Sequence, residues 1–275
     1  MQYALVADIH ANLEALQAVL RLLDERHPQA RLLCPGDIVG YGPDPAACIE
    51  LLRERQVPCV RGNHEEMVLG TRDFSRCVVA GITAARWTRQ QLSSVQRQYL
   101  ADLPLSRHIS PELTMCHGDL LSADTYISHA EAGNLALQQL QSLAPQAQIL
   151  VCGHTHHAAL HSREDGFAVL TESVTLQLQP GRRYVINPGA VGQSRDGAPV
   201  ARCAVLDLER HELTVHRLSY DHALTERKMR AAGLLGGVVL ERPEGVWRRV
   251  EYHRTRWARY WGERENQRLG LTAKP

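Results

Sequence analysis

The chain has 275 residues, of which 44% are hydrophobic and 22% are charged, and its formal net charge is +1. This composition is typical of a globular protein with a sizeable core, and the length predicts one large domain with an elaborated end or a small appendage. The small net charge excludes a global electrostatic field that would attract nucleic acid or acidic lipids. Any such attraction would have to be local.

The sequence shows no pattern of a transmembrane helix, a signal peptide or a disulfide framework. No run of about 18 apolar residues predicts a transmembrane helix, so no membrane partner is expected. The first ten residues lack the basic start and apolar middle of a signal peptide, so a cytoplasmic location is expected. The seven cysteines are odd in number and none stands in a CxxC pair, which argues against a disulfide framework or a zinc ribbon. Cys34, Cys59, Cys116 and Cys152 are predicted to be small buried hydrophobic residues.

The first part of the chain alternates short apolar runs with helical patterns. Residues 3–7 predict a buried strand, and apolar residues at positions 13, 16, 19, 20 and 23 predict one face of a helix. A strand at 31–35, a helix at 45–55 and a strand at 57–60 are predicted next. This alternation predicts right-handed crossovers and a sheet rich in parallel strands, covered by helices.

The predicted elements change character further along the chain. Residues 75–100 predict a helical region whose buried side holds Trp87, Leu92, Val95, Tyr99 and Leu100. Strands are predicted at 112–116 and 148–152, with a helix at 130–142 between them. Short runs with β-branched residues predict a mainly antiparallel second sheet, with strands at 158–161, 167–170, 174–178, 183–186, 201–206 and 212–218. The pattern is helical again after residue 221.

Polar residues follow the first three predicted strands. Asp8 and His10 stand at the end of the first strand, Asp37 follows the second, and Asn63 follows the third. Residues two apart on an extended chain point the same way, so Asp8 and His10 are expected to reach one ion. Because the carboxyl ends of parallel strands meet at one rim of a sheet, all four residues are expected to converge there.

Two further groups extend this set. His117 follows the predicted strand at 112–116, and His154 and His156 form a second alternating pair after the strand at 148–152. Imidazole combined with hard oxygen ligands suits Mn²⁺, Zn²⁺, Fe or Ni²⁺ better than Ca²⁺. The five groups therefore predict a metal centre, with the ligands Asp8, His10, Asp37, Asn63, His117, His154 and His156.

The motifs DIH, GDIVG, RGNHE, CHGD and GHTH resemble, in order and spacing, the five motifs of the calcineurin-like metallophosphoesterases. The resemblance covers roughly residues 1–218, and GYGPDP and NPGAVGQSRDG are similar to the small bacterial and archaeal phosphodiesterase-type branch. It implies an α/β fold, a four-layer α/β/β/α sandwich of two mixed sheets with the metal site at the C-terminal rim of the strands. We therefore predict a phosphoesterase domain at 1–220. The helical pattern and the composition of the remaining residues predict a helical extension rich in Trp and Arg at 221–275.

The resemblance also implies how the ligands divide between two divalent ions. One ion would be held by Asp8, His10, Asp37 and His156, and the other by Asp37, Asn63, His117 and His154. Asp37 would bridge the ions, which would share the hydroxide that attacks phosphorus. Manganese is expected, with iron, zinc or nickel as alternatives. Asp37, Asn63 and His64 are the predicted catalytic residues, and His64 would contact the phosphate or protonate the leaving oxygen.

Residues near the motifs bear on the substrate. Protein Ser/Thr phosphatases of the same family have an Arg soon after the second motif that binds the phosphate, whereas residues 40–42 here are Gly-Tyr-Gly. This difference argues against a protein phosphatase. Asn12, His64 and Arg195 are predicted to contact the substrate, although Arg195 could instead pair with Asp196.

A second group of residues is predicted at the edge of the site. Residues 65–104 could form a lid over the metals, with Arg72 or Arg76 facing the substrate. His157 extends the last His run and is expected to be a rim residue rather than a ligand.

These features predict two-metal hydrolysis of a phosphoester, and a small phosphodiester of nucleotide type is the expected substrate. A phosphomonoesterase or protein phosphatase of the same fold is the first alternative. The second is a metal-binding scaffold without catalysis, and the third is an enzyme that processes nucleic-acid ends.

The C-terminal tail carries its own pattern. Residues 241–275 hold three of the four Trp residues, with eight Arg and one Lys against five Glu. Five of its residues share a helical spacing: Trp247, Val250, Arg254, Trp257 and Trp261. We interpret the tail as an amphipathic helix that docks on the domain or on a second copy, giving a homo-oligomer. The alternative is a surface on which bases of single-stranded nucleic acid stack.

Overall fold

The computed structural model describes residues 1–72, 77, 79–195 and 197–234. These residues fold as two mixed β-sheets packed face to face, with helices on both outer sides. The strands are β1 (Gln2–Leu5), β2 (Arg31–Leu33), β3 (Ser106–Ser110), β4 (Leu113–Cys116), β5 (Ile149–Val151), β6 (Ala158–Ser162), β7 (Gly166–Val169), β8 (Val174–Gln177), β9 (Tyr184–Pro188), β10 (Val200–Asp207) and β11 (Glu212–Ser219). The helices are α1 (Leu13–Arg26), α2 (Pro45–Glu54), α3 (Asn63–Leu69), α4 (Val79–Gln91), α5 (Ser94–Ala101), α6 (Ala130–Leu143) and α7 (His222–Ala231).

The first sheet has five strands in the order β2-β1-β10-β11-β8. β1 and β2 are parallel, as the first strand–helix–strand unit predicts, and the other pairs are antiparallel. The apolar face of α1, including Leu16, Val19 and Leu23, packs into one core cluster with Val6 of the β1 end. This burial of an amphipathic helix on a sheet face forms the first α/β interface.

The second sheet has six strands in the order β3-β4-β5-β9-β6-β7, with β4, β5 and β9 parallel. Leu5 of the first sheet and Met115, Val151 and Ile186 of the second belong to one core cluster between the sheets. On the far side, Leu137 and other apolar residues of α6 form a separate cluster with the second sheet. The four layers are therefore helix, sheet, sheet and helix, which confirms the predicted fold.

Several predicted elements differ from the structure. The strands between residues 157 and 218 do not form one antiparallel sheet, because β8, β10 and β11 join the first sheet whereas β6, β7 and β9 join the second. β10 is buried along its whole length and pairs with β1 on one side. Local patterns identify a strand but not its partner, so this division between two sheets could not be inferred from spacing.

The predicted strand at 57–60 is also wrong. This segment makes only an isolated parallel bridge between Cys34 and Cys59. The N–H of Cys34 donates to the carbonyl of Pro58 at 2.9 Å, and the carbonyl of Cys34 accepts from the N–H of Val60 at 3.1 Å. Pro58 has no backbone N–H with which to extend this ladder. β3 and α3 are two elements that the sequence patterns did not predict.

The helical region predicted at 75–100 is interrupted within the described residues. Ser93 and Gln96 form a capping box, in which each side chain bonds the other residue's backbone N–H, and α5 begins there. Because the helix is interrupted, the residues predicted for the buried side do not all face the core. Leu100 is buried, but 61% of Val95 is exposed. The buried-side prediction is therefore wrong for Val95.

Helix α7 lies in one compact unit with the strands, beyond the predicted boundary at residue 220. Its Thr225 Oγ1 donates to Glu14 Oε2 at 2.8 Å, and Lys228 Nζ pairs with Glu14 of α1 and with Asp44 at the start of α2. These contacts dock α7 on α1 and α2. The predicted extension from residue 235 onward, with Trp247, Val250, Arg254, Trp257 and Trp261, lies outside the described residues.

The described residues bear on the predicted burial of the cysteines and on the expectation about membrane-spanning helices. Cys34, Cys59, Cys116 and Cys152 are free and buried, which confirms the prediction for them. Within the described ranges, no helix combines the length and apolar character needed to cross a membrane.

Candidate metal centre

Five of the seven residues of the predicted centre have left-handed backbone conformations rather than extended ones. Asp8 and His10 have φ angles of 53° and 48°, and Asp37, His154 and His156 have φ angles of 53°, 68° and 64°. The prediction that alternation along a strand aligns each pair is therefore wrong. A left-handed conformation costs a non-glycine residue roughly 1–2 kcal/mol, and such residues cluster where function imposes the geometry.

Four buried residues form the first donor set. Asp8, His10, Asp37 and His156 are at most 2% exposed, and one ligand atom from each lies within 4.8 Å of the others. Nε2 of His10 is 3.0 Å from Nε2 of His156 and 3.7 Å from Oδ2 of Asp37. Oδ1 of Asp8 lies 3.6 Å from Nε2 of His156. The four side chains thus present their donor atoms to one point.

The second donor set shares Asp37 with the first. Donor atoms of Asp37, His117 and His154 lie within 4.8 Å of one another. Nε2 of His117 is 3.2 Å from Oδ2 of Asp37 and 3.2 Å from Oδ1 of Asn63. Oδ2 of Asp37 therefore faces histidine nitrogens of both sets, which is the position of a bridging ligand.

The hydrogen bonds of the imidazoles test whether this site fits metal ions. Backbone carbonyls can only accept, so each Nδ1 that faces one carries a proton, and Nε2 is the nitrogen left to bind a metal ion or a second proton. The three Nδ1–carbonyl pairs are His10 with Val39 at 3.2 Å, His117 with Pro35 at 2.8 Å and His156 with Gln193 at 2.7 Å. Two such Nε2 atoms 3.0 Å apart repel each other unless a cation lies between them.

Two buried atoms of the centre have no hydrogen-bond partner among the described residues: Oδ2 of Asp37 and Nε2 of His154. A buried polar atom without a partner is costly, and about 1–3 kcal/mol is typical. A shared cation would satisfy Oδ2 of Asp37 from both donor sets. The residues present therefore fit two divalent ions.

Buried Glu65 holds the two loops of the centre together. Its carboxylate accepts hydrogen bonds from the backbone N–H groups of Asp37 at 3.0 Å, Ile38 at 2.8 Å, Val39 at 3.1 Å and Gly62 at 2.7 Å. Gly62 must be glycine, because a Cβ there would lie 2.6 Å from the backbone N of Asp37. The RGNHE segment thus fixes the backbone that carries Asp37, the carboxylate shared by both donor sets.

Burial and mutual charge shift the pKa values of the protein groups. Burial raises the pKa of Asp8 to about 7, and nearby Asp37 raises it further while His117 opposes the shift. Burial alone would lower the pKa of His117, but the Asp37 carboxylate raises it to about 10. Burial lowers the pKa of His154 well below its usual value. Strongly opposed charges in a buried cluster are typical of metal centres and active sites.

His64 lies at the edge of the centre, next to an aromatic residue that the sequence did not single out as functional. The His64 ring centroid is 4.7 Å from that of His10 and 4.5 Å from that of Tyr41. Tyr41 has a φ angle of 55° and is 8% exposed. Gly40 packs directly against the His64 ring. The segment 40–42 therefore fixes the orientation of His64 instead of supplying an Arg.

Asn12 is buried and hydrogen-bonded to the surrounding chain. It is 0% exposed, its Oδ1 accepts from the N–H of Ala15 at 3.1 Å, and its Nδ2 donates to the carbonyl of Gly192 at 2.9 Å. Its amide also bonds Tyr220 and Thr225. Asn12 is the N-cap of α1 and supports the loop behind His10, which gives it a structural role. Its contact with a substrate stays a prediction.

Two arginines near the centre differ in their exposure and in their ion pairs. Arg195 is exposed, and its charge contributes to the pKa values of Asp8, His10 and Tyr41, which places it within electrostatic reach of the first donor set. Arg72 is largely buried and pairs with Asp124. Asp196 and Arg76 lie outside the described residues, and His157 is partly exposed beside His156.

Tyr126 is a further aromatic residue at the centre. Its ring centroid lies 4.0 Å from that of His154, although 49% of the residue is exposed. No pattern in the sequence marks Tyr126, because it stands alone in a polar loop. Glu65 and Tyr41 could have been identified from their positions inside the RGNHE and GYG segments.

A two-sheet sandwich with a buried Asp/His centre of this kind defines a metal-dependent hydrolase of phosphoesters. The sequence model of the calcineurin-like phosphoesterase superfamily domain matches residues 1–211. The chain belongs to this superfamily.

Relatives with known sequences or structures agree with this assignment. The crystal structure of a metallophosphoesterase from Sphaerobacter thermophilus superposes with a TM-score of 0.73 at 34% identity, covering 87% of this chain and 97% of that one. An uncharacterized protein of Methanocaldococcus jannaschii is 31% identical over 224 residues, which are 79% of this chain and 87% of the relative. A serine/threonine-protein phosphatase 1 of Salmonella typhimurium is 37% identical over 82 residues, which are 30% of this chain and 38% of the relative.

Proposed function

We propose that the protein hydrolyses a small phosphodiester of nucleotide type with two divalent ions, manganese being the expected metal. One observation carries the proposal: two buried donor sets share Oδ2 of Asp37, which has no hydrogen-bond partner among the described residues. The residues that would hold the ions are Asp8, His10, Asp37, Asn63, His117, His154 and His156. When bound, two such ions stabilise charge on the phosphoryl oxygens and activate water at neutral pH.

The surrounding residues have distinct roles in this proposal. Asp37 joins the donor sets, and Glu65 keeps its backbone in place through the four N–H bonds described above. His64, fixed between His10 and Tyr41, hydrogen-bonds the phosphate or donates a proton to the leaving oxygen. Arg195 contributes positive charge from the exposed side, where it would contact a phosphate oxygen.

The charge near the centre favours a diester. A monoester is close to a dianion at neutral pH, whereas a diester carries a single negative charge. Tyr41 stands where protein phosphatases of this family have an Arg, and Arg72 is already paired with Asp124. Within the described part of the chain, Arg195 is the exposed cation that acts on the first donor set. Beyond the ions themselves, the described residues thus supply one exposed cation and no Arg at position 41, which supports a diester over a monoester.

A phosphomonoesterase is the second candidate. It is favoured by the similarity of an 82-residue stretch to the Salmonella serine/threonine-protein phosphatase. Turnover of bis-p-nitrophenyl phosphate and of p-nitrophenyl phosphate, each with Mn²⁺, Ni²⁺ and Zn²⁺, separates the candidates. We expect a higher kcat/KM for the diester, and a strong preference for the monoester would reverse the order of the two candidates.

The substitution Asp37→Asn tests whether the centre is catalytic at all. We expect the variant to lose bound divalent ions and to lower kcat by about 10²–10³-fold or more, because it removes a charged group that serves both donor sets. Ion content is measured by plasma emission spectrometry. Asp165→Asn is the matched control, since Asp165 is exposed and pairs with Arg182. A wild-type protein that binds divalent ions but hydrolyses neither ester would favour a non-catalytic scaffold. A wild-type protein that binds no divalent ion, or an Asp37→Asn variant as active as the wild type, would contradict catalysis at this centre.

A further inference from the structure

Tyr126 exposes an aromatic ring at the metal centre. The ring centroids of Tyr126 and His154 are 4.0 Å apart, with an angle of 40° between the planes. His154 is 5% exposed, whereas Tyr126 is 49% exposed. The Tyr126 ring therefore covers the imidazole on one side and remains accessible to solvent on the other. A large exposed aromatic residue beside a buried polar centre is a typical ligand-binding feature.

The loop that carries Tyr126 is held by a network of hydrogen bonds. Oδ1 of Asp119 accepts from the backbone N–H groups of Leu121 and Ser122, both at 2.8 Å. Oδ2 of Asp119 accepts from Nε2 of Gln139 in α6 at 3.1 Å. The loop between β4 and α6 is therefore fixed at its start, directly after His117, and anchored to a helix.

The same loop is tied to the other side of the site just before Tyr126. The backbone N–H of Asp124 donates to Oγ of Ser122 at 3.1 Å, and the Asp124 carboxylate pairs with Arg72, which follows α3 in the chain. Arg72 also approaches Glu66 at 3.9 Å. Tyr126 is thus presented by a pre-organised loop, which reduces the entropy lost when a ligand binds to it.

Tyr126 adjoins a centre that suits a phosphate. The His154 imidazole, which the Tyr126 ring covers, belongs to the second donor set together with Asp37 and His117. Arg195 is exposed, and its charge acts on Asp8 and His10 of the first donor set. A phosphate held at the donor sets would therefore have an exposed aromatic ring beside the second set and a cation within electrostatic reach of the first.

We infer that Tyr126 is the platform on which a flat heteroaromatic ring of the substrate stacks, so that the preferred phosphoesters carry a nucleobase. This inference rests on the proposed function and names a specificity residue for it. Stacking of a base on an aromatic side chain is sequence-tolerant, because every base presents a π-face. The effect of losing one such stack is about tenfold in affinity.

Selectivity between two diesters tests the inference. Adenylyl-(3′→5′)-adenosine carries two bases, whereas glycerophosphocholine carries no ring. In Tyr126→Ala, the ratio of kcat/KM for the dinucleotide to that for glycerophosphocholine falls about tenfold, and Tyr126→Phe restores it because the ring is retained. Leu121→Ala is the matched control, since Leu121 is 66% exposed on the same loop, and it leaves the ratio unchanged.

Results that contradict the inference differ from results that contradict the proposed function. An unchanged ratio of the two kcat/KM values in Tyr126→Ala overturns the inference. If both diesters lose activity equally and bound ions are lost, the inference is overturned too, because Tyr126 would then only support His154.

If the wild-type protein cleaves neither diester, that result contradicts the proposed function but does not bear on Tyr126. Calorimetric binding of AMP against glycerol phosphate then decides about Tyr126: weaker binding of AMP alone in Tyr126→Ala supports the inference, and no preference for AMP in the wild type overturns it.

Discussion

His64 shows how a single side chain is prepared by its neighbours. Its ring lies between His10 and Tyr41, and Gly40 packs against it. Nδ1 of His64 has no hydrogen-bond partner among the described residues. Ring packing therefore fixes its orientation, while the imidazole stays available for chemistry at the phosphate.

The substitution His64→Asn separates this role from metal binding. We expect kcat for bis-p-nitrophenyl phosphate to fall by about 10²–10⁴-fold, the typical contribution of a positioned acid or base. Bound divalent ions should stay at the wild-type level, because His64 is not in either donor set. His129→Asn is the control, since His129 is an exposed histidine. Unchanged kcat with full ion content would mean that His64 only packs the site.

At the scale of elements, the sequence predicts which polar residues meet at the centre, but not their local geometry. Polar residues directly after apolar runs mark strand ends, and this signal placed Asp8, Asp37 and His117 correctly near one rim. The reason for convergence is different from the predicted one, since Asp8 and His10 reach the site through left-handed turns. A φ angle depends on contacts across the fold, such as the hydrogen bond from the N–H of Asp8 to the carbonyl of Gly36 at 3.2 Å.

The roles of supporting residues were even less accessible from the sequence. Asn12 follows a ligand motif and therefore has the appearance of a substrate contact, yet it caps α1. Tyr126 reaches His154 through a loop that joins β4 to α6. The sheet partners of β8, β10 and β11 depend on pairings between residues up to about two hundred positions apart. Such long-range contacts leave no local periodicity.

Glu65 at the start of α3 provides a prediction for the connection between elements. In Glu65→Gln, one carboxylate oxygen becomes an NH₂ group that faces backbone N–H donors, so at least one buried donor loses its partner. We expect the free energy of unfolding to fall by about 2–3 kcal/mol, together with weaker retention of divalent ions. Urea unfolding measures the first effect. Glu66→Gln, next to it and partly exposed, is the control and should change stability by less than about 1 kcal/mol.

On the scale of the whole molecule, distant parts of the chain meet on α1. Its first turn contacts α7 through Glu14, Thr225 and Lys228. At its other end, Nε2 of His27 lies 3.1 Å from Nε2 of His216 in β11. Contacts at both ends of α1 therefore connect the N-terminal helix with segments about two hundred residues later, and they contribute to the stability of the sandwich as a unit.

The His27–His216 pair predicts an acid-sensitive part of the folding stability. Burial lowers the pKa of both imidazoles, Arg26 lowers it further for each, and His27 also lowers that of His216. The unfolded chain therefore binds protons at a higher pH than the folded chain, and stability falls as the pH drops from about 6.5 towards the folded pKa values.

We expect the free energy of unfolding to decrease less between pH 7 and pH 5 in His27→Gln than in the wild type, because one titrating group and its repulsion of His216 are removed. Urea unfolding at constant ionic strength, with a chelator present in every sample, measures this difference without a contribution from bound ions. His129→Gln, at an exposed histidine, should follow the wild-type profile. If His27→Gln and the wild type lose stability in parallel, the acid sensitivity comes from the buried histidines of the metal centre instead.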